Sequence, residues 1–291
     1  MRKISAYIQV CRPHQYVKNG FIWLPLFFGD RITDIHAVAM AFLVFVAFSL
    51  MSSAIYAVND LKDREEDRRH PVKKNRPIAR GILSPAEAVG IALVLFGISM
   101  AIASATLPLA SIYVLLAYVL LNLAYSQGIK HIPIIDIVCI AAGFVLRVLA
   151  GGTATRIAIS PWIVIMTFLL ALFLALAKRR DDLLLVARGK AVRKAIDGYN
   201  LEFISLAMGI MASVIIVAYI LYTVSPEVVA KHGTEYLYVT AIWVLLGLLR
   251  YLQITFVEEK SGSPTMVLLK DALLQVVIVL WLVNSFLLLY R

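Results

Sequence analysis

Acidic and basic side chains are concentrated in residues 56–77 of a chain that is otherwise strongly apolar. This stretch, YAVNDLKDREEDRRHPVKKNRP, follows directly on the apolar run FVAFSLMSSAIYAV. If the helix formed by that run continues, Asp60, Asp63 and Asp67 fall at positions i, i+3 and i+7 on one face, with Asn59 beside them. Oxygen ligands in this number suit magnesium, which keeps some water and is completed by substrate phosphates. The spacing therefore predicts a site for a magnesium-complexed diphosphate.

The alternative for such a mixed run of charges is a solvated loop held by surface ion pairs. Two features favour the binding site. The acids begin on the end of the helix itself, and they are followed by HPVKKNRPIARG, whose cations suit further phosphate oxygens.

The elements that position these residues are predicted to be membrane-spanning helices. Of the 291 residues, 61% are hydrophobic and only 16% are charged, well below the quarter that is usual in soluble domains. Apolar runs long enough to cross a hydrocarbon core of about 30 Å recur along the chain. They predict an all-α, polytopic membrane protein with nine transmembrane helices, at residues 19–34, 37–58, 86–106, 108–126, 132–152, 160–178, 203–224, 236–253 and 268–289.

The Lys and Arg residues give the orientation. Most of the 28 fall in the amino-terminal segment, in the loops at about 60–85 and about 178–202, and near the last spans on the same side. By the positive-inside rule this side is cytoplasmic, which places the amino terminus inside and, with nine spans, the carboxyl terminus outside. The net charge of +10 is then an orientation signal and an attraction to anionic membrane lipids. It does not require nucleic acid.

Three segments resemble the UbiA superfamily of intramembrane prenyltransferases. NDLKDREED fits the NDxxDxxxD motif of that family, HPVKKNRPIARG resembles its HPxKxxRP continuation, and NLAYSQGIKHIPIIDI is similar to its Tyr-Ser-to-Lys segment. The resemblance covers nearly the whole chain. It implies one transmembrane catalytic domain over residues 1–291, a UbiA-like helical bundle, and an active site in the cytoplasmic loops with a lateral opening to lipid.

The chain departs from the family pattern at the second acidic motif, DxxxD. Here the sequence reads LALAKRRDDLLLVARG, so that Asp182 matches the second Asp and Lys178 stands where the first is expected. Together with CRPHQYVKN and GFVLRVLAGG, this resembles a branch whose members transfer a phosphoribosyl group from phosphoribosyl pyrophosphate to a polyprenyl phosphate lipid. The resemblance thus implies these two substrates and Mg2+.

This interpretation assigns a role to each polar residue near the motifs. The residues expected to bind the diphosphate and its metal ion are Asn59, Asp60, Asp63 and Asp67. The lipid phosphate needs cations at the membrane boundary, for which Lys130, Arg147, Lys178 and Arg179 are available. For the 5-phosphate of the donor we expect Lys18, Arg76 and Arg80, with Gln15 and Asn19 as hydrogen-bond donors. Tyr125 and Ser126 are expected at the site from the family match, and Asp182 as a ligand of magnesium or of a ribose hydroxyl.

Arg147 lies midway along a predicted span, where a charged side chain is costly and marks a functional interior by default. Its structural alternative is an ion pair with Asp136 or another acid.

Two other functions remain open at this point. One is an aromatic or quinone-precursor prenyltransferase with a polyprenyl diphosphate donor, which Lys178 disfavours because it removes a metal ligand and places a cation beside an allylic cation. The other is a transporter or a lipid-binding protein without chemistry. A transporter would distribute its charges through the depth of the membrane, whereas here they cluster at one set of helix ends.

Overall fold

The computed structural model describes residues 3–69, 72–189 and 198–290. Eight helices in these ranges are long and apolar enough to cross a membrane. They are α3 (Ile35–Lys62), α5 (Pro85–Thr106), α6 (Leu109–Gln127), α7 (Ile135–Thr155), α8 (Pro161–Ala187), α9 (Leu201–Val224), α11 (Ala241–Phe256, preceded by a 3-10 turn at Tyr236–Thr240) and α13 (Ala272–Leu289). The chain is therefore an all-helical integral membrane protein. Shorter helices are α1 (Lys3–Cys11), α2 (Leu24–Phe28), α4 (Arg64–Arg69), α10 (Pro226–His232) and α12 (Pro264–Lys270).

Local sequence signals mark where five of these helices begin. Ser84 and Glu87 form a reciprocal capping box at the start of α5, with Pro85 at the first helical position. Side chains that accept hydrogen bonds from the first backbone N–H groups cap four other helices: Asp34, Ser160, Asn200 and Asp271. The short loops between the spans are therefore encoded locally.

The first predicted span takes a different form from the α-helix expected over 19–34. Residues Pro13–Trp23 form a 3-10 helix that continues into α2, and the chain then turns before α3. With a rise of about 2.0 Å per residue in a 3-10 helix and about 1.5 Å in an α-helix, this segment extends about 30 Å. One end lies at Arg12, which contacts Asp60, and at the other the carbonyl of Phe27 accepts a 2.6 Å hydrogen bond from Tyr290. It thus runs the length of the bundle.

Two buried clusters form the core. In the first half, α3, α5, α6 and α7 pack around Phe48, Met51 and Leu115. In the second half, α8, α9 and α11 pack around Phe173 and Met208. The helix α7 contacts α3, α6, α8 and the 3-10 segment, so polar residues on α7 can reach both halves. We call the end of the bundle that holds residues 59–67 the motif end, and the other the opposite end.

The two predicted loops at the motif end are partly helical. The region 60–85 contains the end of α3, α4 and a 3-10 turn at Lys73–Asn75. The helix α8 continues through 178–187, so the residues of KRRDD lie on its last turns rather than in a loop. The remainder of the second predicted loop includes residues 190–197, and the HP pair of HPVKKNRPIARG is residues 70–71. Both lie outside the described residues.

Candidate active site

The acids of the first motif lie on one buried surface although α3 ends at Lys62. The backbone N–H of Asp63 bonds to the carbonyl of Asn59, and that of Asp67 to the carbonyl of Asp63, so helical spacing continues through the junction with α4. Asp60, Asp63 and Asp67 are 2%, 8% and 2% exposed. The predicted common face is formed.

Two arginines neutralise Asp60 and Asp67. Arg76 Nη1 donates to Asp60 Oδ1 at 2.8 Å and to Asp67 Oδ2 at 2.6 Å, and Arg12 also donates to Asp60. Burial raises the pKa of the Asp67 carboxyl above its ordinary value, against the lowering effect of Arg76. Arg12, whose guanidinium lies over the ring of Tyr56, was not among the predicted site residues. The sequence signal that could have identified Arg12 as a site residue is its place in CRPHQYVKN, directly before the 3-10 segment.

The end of α6 and the turn after it close the site from a second direction. Lys130 is 5% exposed and its Nζ donates to Asp63 Oδ1 at 2.6 Å. The Ser126 hydroxyl donates to Asn59 Oδ1, and Lys62 Nζ donates to the carbonyl of Ser126 at 2.6 Å. The structure thus brings Ser126 and Lys130 against the first motif, and Lys130 contacts an acid there. Tyr125 is half-buried beside them and interacts electrostatically with Arg179.

The donor set fits a hard cation, although no group of three metal-ligating acidic, His or Cys side chains converges within the described ranges. One guanidinium nitrogen already stands between the carboxylates of Asp60 and Asp67. Asp60, Asp63 and Asp67, with the amide oxygen of Asn59, would supply oxygen ligands of the kind that magnesium prefers. Arg76 and Lys130, which contact these acids, would lie close to the phosphates of a bound diphosphate.

Arg147 has neutral partners only, among the described residues. Its guanidinium donates to Asn19 Oδ1 at 2.8 Å, to the carbonyl of Gly143 at 2.7 Å and to the Tyr118 hydroxyl at 3.0 Å. The rings of Phe48, Tyr118 and Phe144 surround it at 5.0–5.2 Å. The alternative of an ion pair with Asp136 is wrong, because Asp136 accepts from Arg179 instead.

Lys18 lies within the field of other cations. Lys18 is close enough to Lys178, Arg147 and Arg12 for their charges to act on its ammonium. We call Lys18, Arg147 and Lys178 the cationic pocket. Lys178 is exposed at the motif end of α8. The sequence had grouped Lys18 with Arg76 and Arg80; in the structure Arg76 bridges the acids and the Arg80 side chain is exposed.

The second motif is tied to α7. Arg179 Nε donates to Asp136 Oδ2 at 2.8 Å and its Nη1 donates to Asp182 Oδ2 at 2.6 Å. Tyr199 donates to the other oxygen of Asp136 at 2.6 Å. Two carboxylates therefore balance the charge of Arg179. Asp136 and Tyr199 were not predicted as site residues. Asp136 lies in the family-like segment NLAYSQGIKHIPIIDI, which was the available signal for it, whereas Tyr199 lies in none of the quoted motifs.

The segment that carries Gln15, Lys18 and Asn19 is fixed at both of its faces. Asn19 is buried and donates to Ser49 at 2.9 Å while accepting from Arg147. Gln15 accepts a 3.4 Å hydrogen bond from Thr265 at the start of α12. The 3-10 helix therefore joins the first half of the bundle to the last short helix.

Comparison with known proteins decides the family. The model of the UbiA prenyltransferase family matches residues 16–270. The chain belongs to this family. It is 34% identical over 284 residues to a decaprenyl-phosphate phosphoribosyltransferase of Corynebacterium glutamicum, covering 95% of this chain and 84% of the relative. A protein of the same name from Mycobacterium tuberculosis is 30% identical, covering 96% and 92%.

Solved structures confirm the fold. A UbiA homologue from Archaeoglobus fulgidus bound to GPP and Mg2+ superposes with a TM-score of 0.72 at 20% identity, covering 98% of this chain and all of that one. Membership confirms the resemblance read from NDLKDREED and makes this chain a member of an enzyme family of transferases, with metal-bound structural relatives.

Proposed function

We propose that this protein transfers the 5-phosphoribosyl group of phosphoribosyl pyrophosphate to a polyprenyl phosphate and releases pyrophosphate. Two relatives that are 34% and 30% identical to this chain carry the name of that activity, decaprenyl-phosphate phosphoribosyltransferase. The observation that carries the proposal is the cationic pocket. Lys178 stands where the motif has an acid, and Lys18 lies near both Lys178 and Arg147, so this side of the site offers positive charge rather than metal ligands.

The two sides of the site then take different phosphates. The acids of the first motif, with Asn59, would hold the diphosphate of the donor through magnesium, which supplies charge neutralisation of the leaving group when bound. The cationic pocket would bind the monophosphate of the lipid. An aromatic prenyltransferase needs both acidic motifs for its prenyl diphosphate, and a cation at position 178 opposes its allylic cation. Both points favour phosphoribosyl transfer over aromatic prenyl transfer.

The reaction needs little from the protein besides positioning and charge. An oxygen of the lipid phosphate forms a bond to C1 of the ribose while the bond from C1 to the pyrophosphate oxygen breaks, and pyrophosphate leaves with the electron pair. The attacking oxygen is already charged, so no general base is required. Arg76 and Lys130, once the acids engage a metal, can donate to oxygens of the leaving group. Fixed donors of this kind stabilise developing charge without reorganisation.

The ribose and its 5-phosphate require a place between the two phosphate sites. Asp182, held by Arg179, can accept from a ribose hydroxyl, and Gln15 can donate from the 3-10 helix. Arg80 is exposed at the edge of the first motif and is available to the 5-phosphate. Tyr125 and Ser126 border the same space.

We propose that the motif end faces the cytoplasm and that the protein lies in the cytoplasmic membrane. The concentration of Lys and Arg at this end supports the orientation. The 3-10 segment supports nine crossings in all, since it runs the length of the bundle beside the eight long helices. The amino terminus would then be inside and the carboxyl terminus outside.

The experiment is an assay of the purified protein in detergent with radiolabelled phosphoribosyl pyrophosphate, polyprenyl phosphate and magnesium. Label should enter the lipid fraction and pyrophosphate should be released. If no label enters the lipid, while a polyprenyl diphosphate reacts with an aromatic acid, the proposal is wrong.

Two variants test the assignment of the phosphates. Asp60→Ala should abolish turnover without unfolding the protein. Lys178→Asp should raise the KM for the lipid phosphate more than that for the donor. Lys260→Asp is the matched control, since its side chain is 75% exposed. Equal effects of Lys178→Asp and Lys260→Asp would exclude Lys178 from the acceptor site.

A further inference from the structure

The hydroxyl of Tyr199 joins two segments that approach the site from different directions. It donates to Asp136 Oδ1 at 2.6 Å and accepts from the backbone N–H of Ile134, also at 2.6 Å. Tyr199 is 7% and Asp136 is 0% exposed. Burial and the adjacent carboxylate raise the pKa of Tyr199 above its ordinary value, so the hydroxyl remains protonated and donates.

On one side this hydroxyl fixes the turn between α6 and α7. Ile134 has a positive φ of 71°, a conformation that costs a β-branched residue energy and persists only where its surroundings hold it. The same turn carries Lys130, which contacts Asp63 of the first motif. Holding the turn therefore helps to hold Lys130 in place.

Close packing supports this contact. Gly198 precedes Tyr199 and lies against the ring of Pro133, where an added Cβ would stand 2.7 Å from the proline Cβ. The chain before α9 and the turn before α7 are thus in direct contact. A side chain at position 198 would push Tyr199 away from Ile134.

On the other side the hydroxyl orients the second motif through Asp136. One oxygen of this fully buried carboxylate accepts from Tyr199, and the other accepts from Arg179 Nε at 2.8 Å. Arg179 in turn donates to Asp182 at 2.6 Å. Each member limits the rotation of the next, because a buried acceptor must keep its donor.

We propose that Tyr199 and Asp136 are positioning residues that fix the two halves of the active site relative to each other. One half is the pair of Lys130 and Asp63, and the other is the pair of Arg179 and Asp182. What they position is defined by the proposed function, but the network itself does not depend on that proposal. Neither residue reaches the substrates; both act through residues that do. Groups of this kind, next to the binding residues, cost on the order of 10–100-fold in activity when they are altered.

The test compares two tyrosine hydroxyls. Tyr199→Phe removes the hydroxyl and keeps the ring. Tyr219→Phe is the matched control: this hydroxyl is also buried, with partners Thr240 at 2.7 Å and Trp281 at 2.8 Å, but it lies toward the opposite end of the bundle. Both variants lose two buried hydrogen bonds, so a general loss of stability should appear in both.

We expect Tyr199→Phe to lower kcat by about 10–100-fold, and Tyr219→Phe to leave kcat near the wild-type value at matched amounts of folded protein. The variant Asp136→Asn should lower kcat by a similar factor. The double variant Asp136→Asn, Tyr199→Phe should be no slower than the slower of the two single variants, because both changes interrupt the same hydrogen-bond network and their effects do not add. The proposal is overturned if kcat falls equally in Tyr199→Phe and Tyr219→Phe, or if Tyr199→Phe has wild-type kinetics. It is also overturned if the losses of kcat in Tyr199→Phe and Asp136→Asn multiply in the double variant.

A readout without substrate separates this proposal from the proposed function. Tyr199→Phe should speed hydrogen exchange of backbone amides in residues 128–136 and should not change it in residues 214–224. If the wild-type protein transfers no phosphoribosyl group but this exchange pattern is found, the proposed function is wrong and the positioning role of Tyr199 is supported. If exchange in 128–136 is unchanged, the network fails whatever the activity.

Discussion

The buried pair of Lys130 and Asp63 gives a quantitative prediction for the first motif. The variant Lys130→Met keeps most of the side-chain volume and removes the charge. Lys130 and Asp63 are 5% and 8% exposed, and their contact is 2.6 Å. Removing one partner of a buried ion pair typically costs about 3–5 kcal/mol, because the remaining charge stays desolvated. We expect a loss of this size in the metal-free protein.

The loss can be followed by thermal unfolding in detergent. For a chain of this size about 1 kcal/mol shifts Tm by about 2–4 °C, so Lys130→Met should unfold on the order of 10 °C below the wild type. Magnesium should raise the Tm of the variant more than that of the wild type, because the metal no longer competes with the ammonium for Asp63. A ligand at about 100 times its Kd adds about 2.7 kcal/mol, enough to restore most of the difference.

The double variant Lys130→Met, Asp63→Asn is the control. It removes both charges, and most of the lost stability should return, with no added response to magnesium. The reasoning is refuted if Lys130→Met unfolds at the wild-type temperature, or if the double variant is less stable than the single one. A magnesium response equal in wild type and variant would show that the metal does not bind at Asp63.

Three further predictions address the rest of the site. Lys18 contributes one of the charges of the cationic pocket, so Lys18→Met should raise the KM for the lipid phosphate, whereas Lys260→Met, at a side chain that is 75% exposed, should leave it unchanged; equal KM values in the two variants would exclude Lys18 from the acceptor site. An added Cβ at Gly151 would collide with the carbonyl oxygen of Ile22 and lie 2.9 Å from its carbonyl carbon, so Gly151→Ala should displace the 3-10 segment and lower the stability of the protein by about 1–3 kcal/mol. Gly97→Ala is the control and should be neutral or stabilising, because the space around Gly97 is open. Equal Tm values in the two variants would contradict this packing. Chelation of divalent cations should abolish transfer and added magnesium should restore it, and full activity in the chelator would exclude a metal-dependent reaction.

Several features of this protein follow from the sequence alone. The long apolar runs predict the spanning helices, because only helices satisfy their backbone groups within a membrane. The i, i+3 and i+7 spacing places Asp60, Asp63 and Asp67 on one face, since helical geometry is local. The motif resemblance predicted the family, and the family comparison confirms it. The 3-10 form of the first crossing was not predicted, because hydropathy does not distinguish a 3-10 from an α-helix.

The tertiary structure decided which charges meet. Lys130, which we expect beside the lipid phosphate, contacts Asp63 in this structure, and Arg147 contacts Asn19 rather than Asp136. These pairings join residues 67 and 128 positions apart. Sequence spacing carries no information about partners on different helices, since electrostatic contacts depend on distance in space. The sequence therefore determined the kinds of groups present and their helices, and the packing of α3, α7 and the 3-10 segment determined which of them form one site.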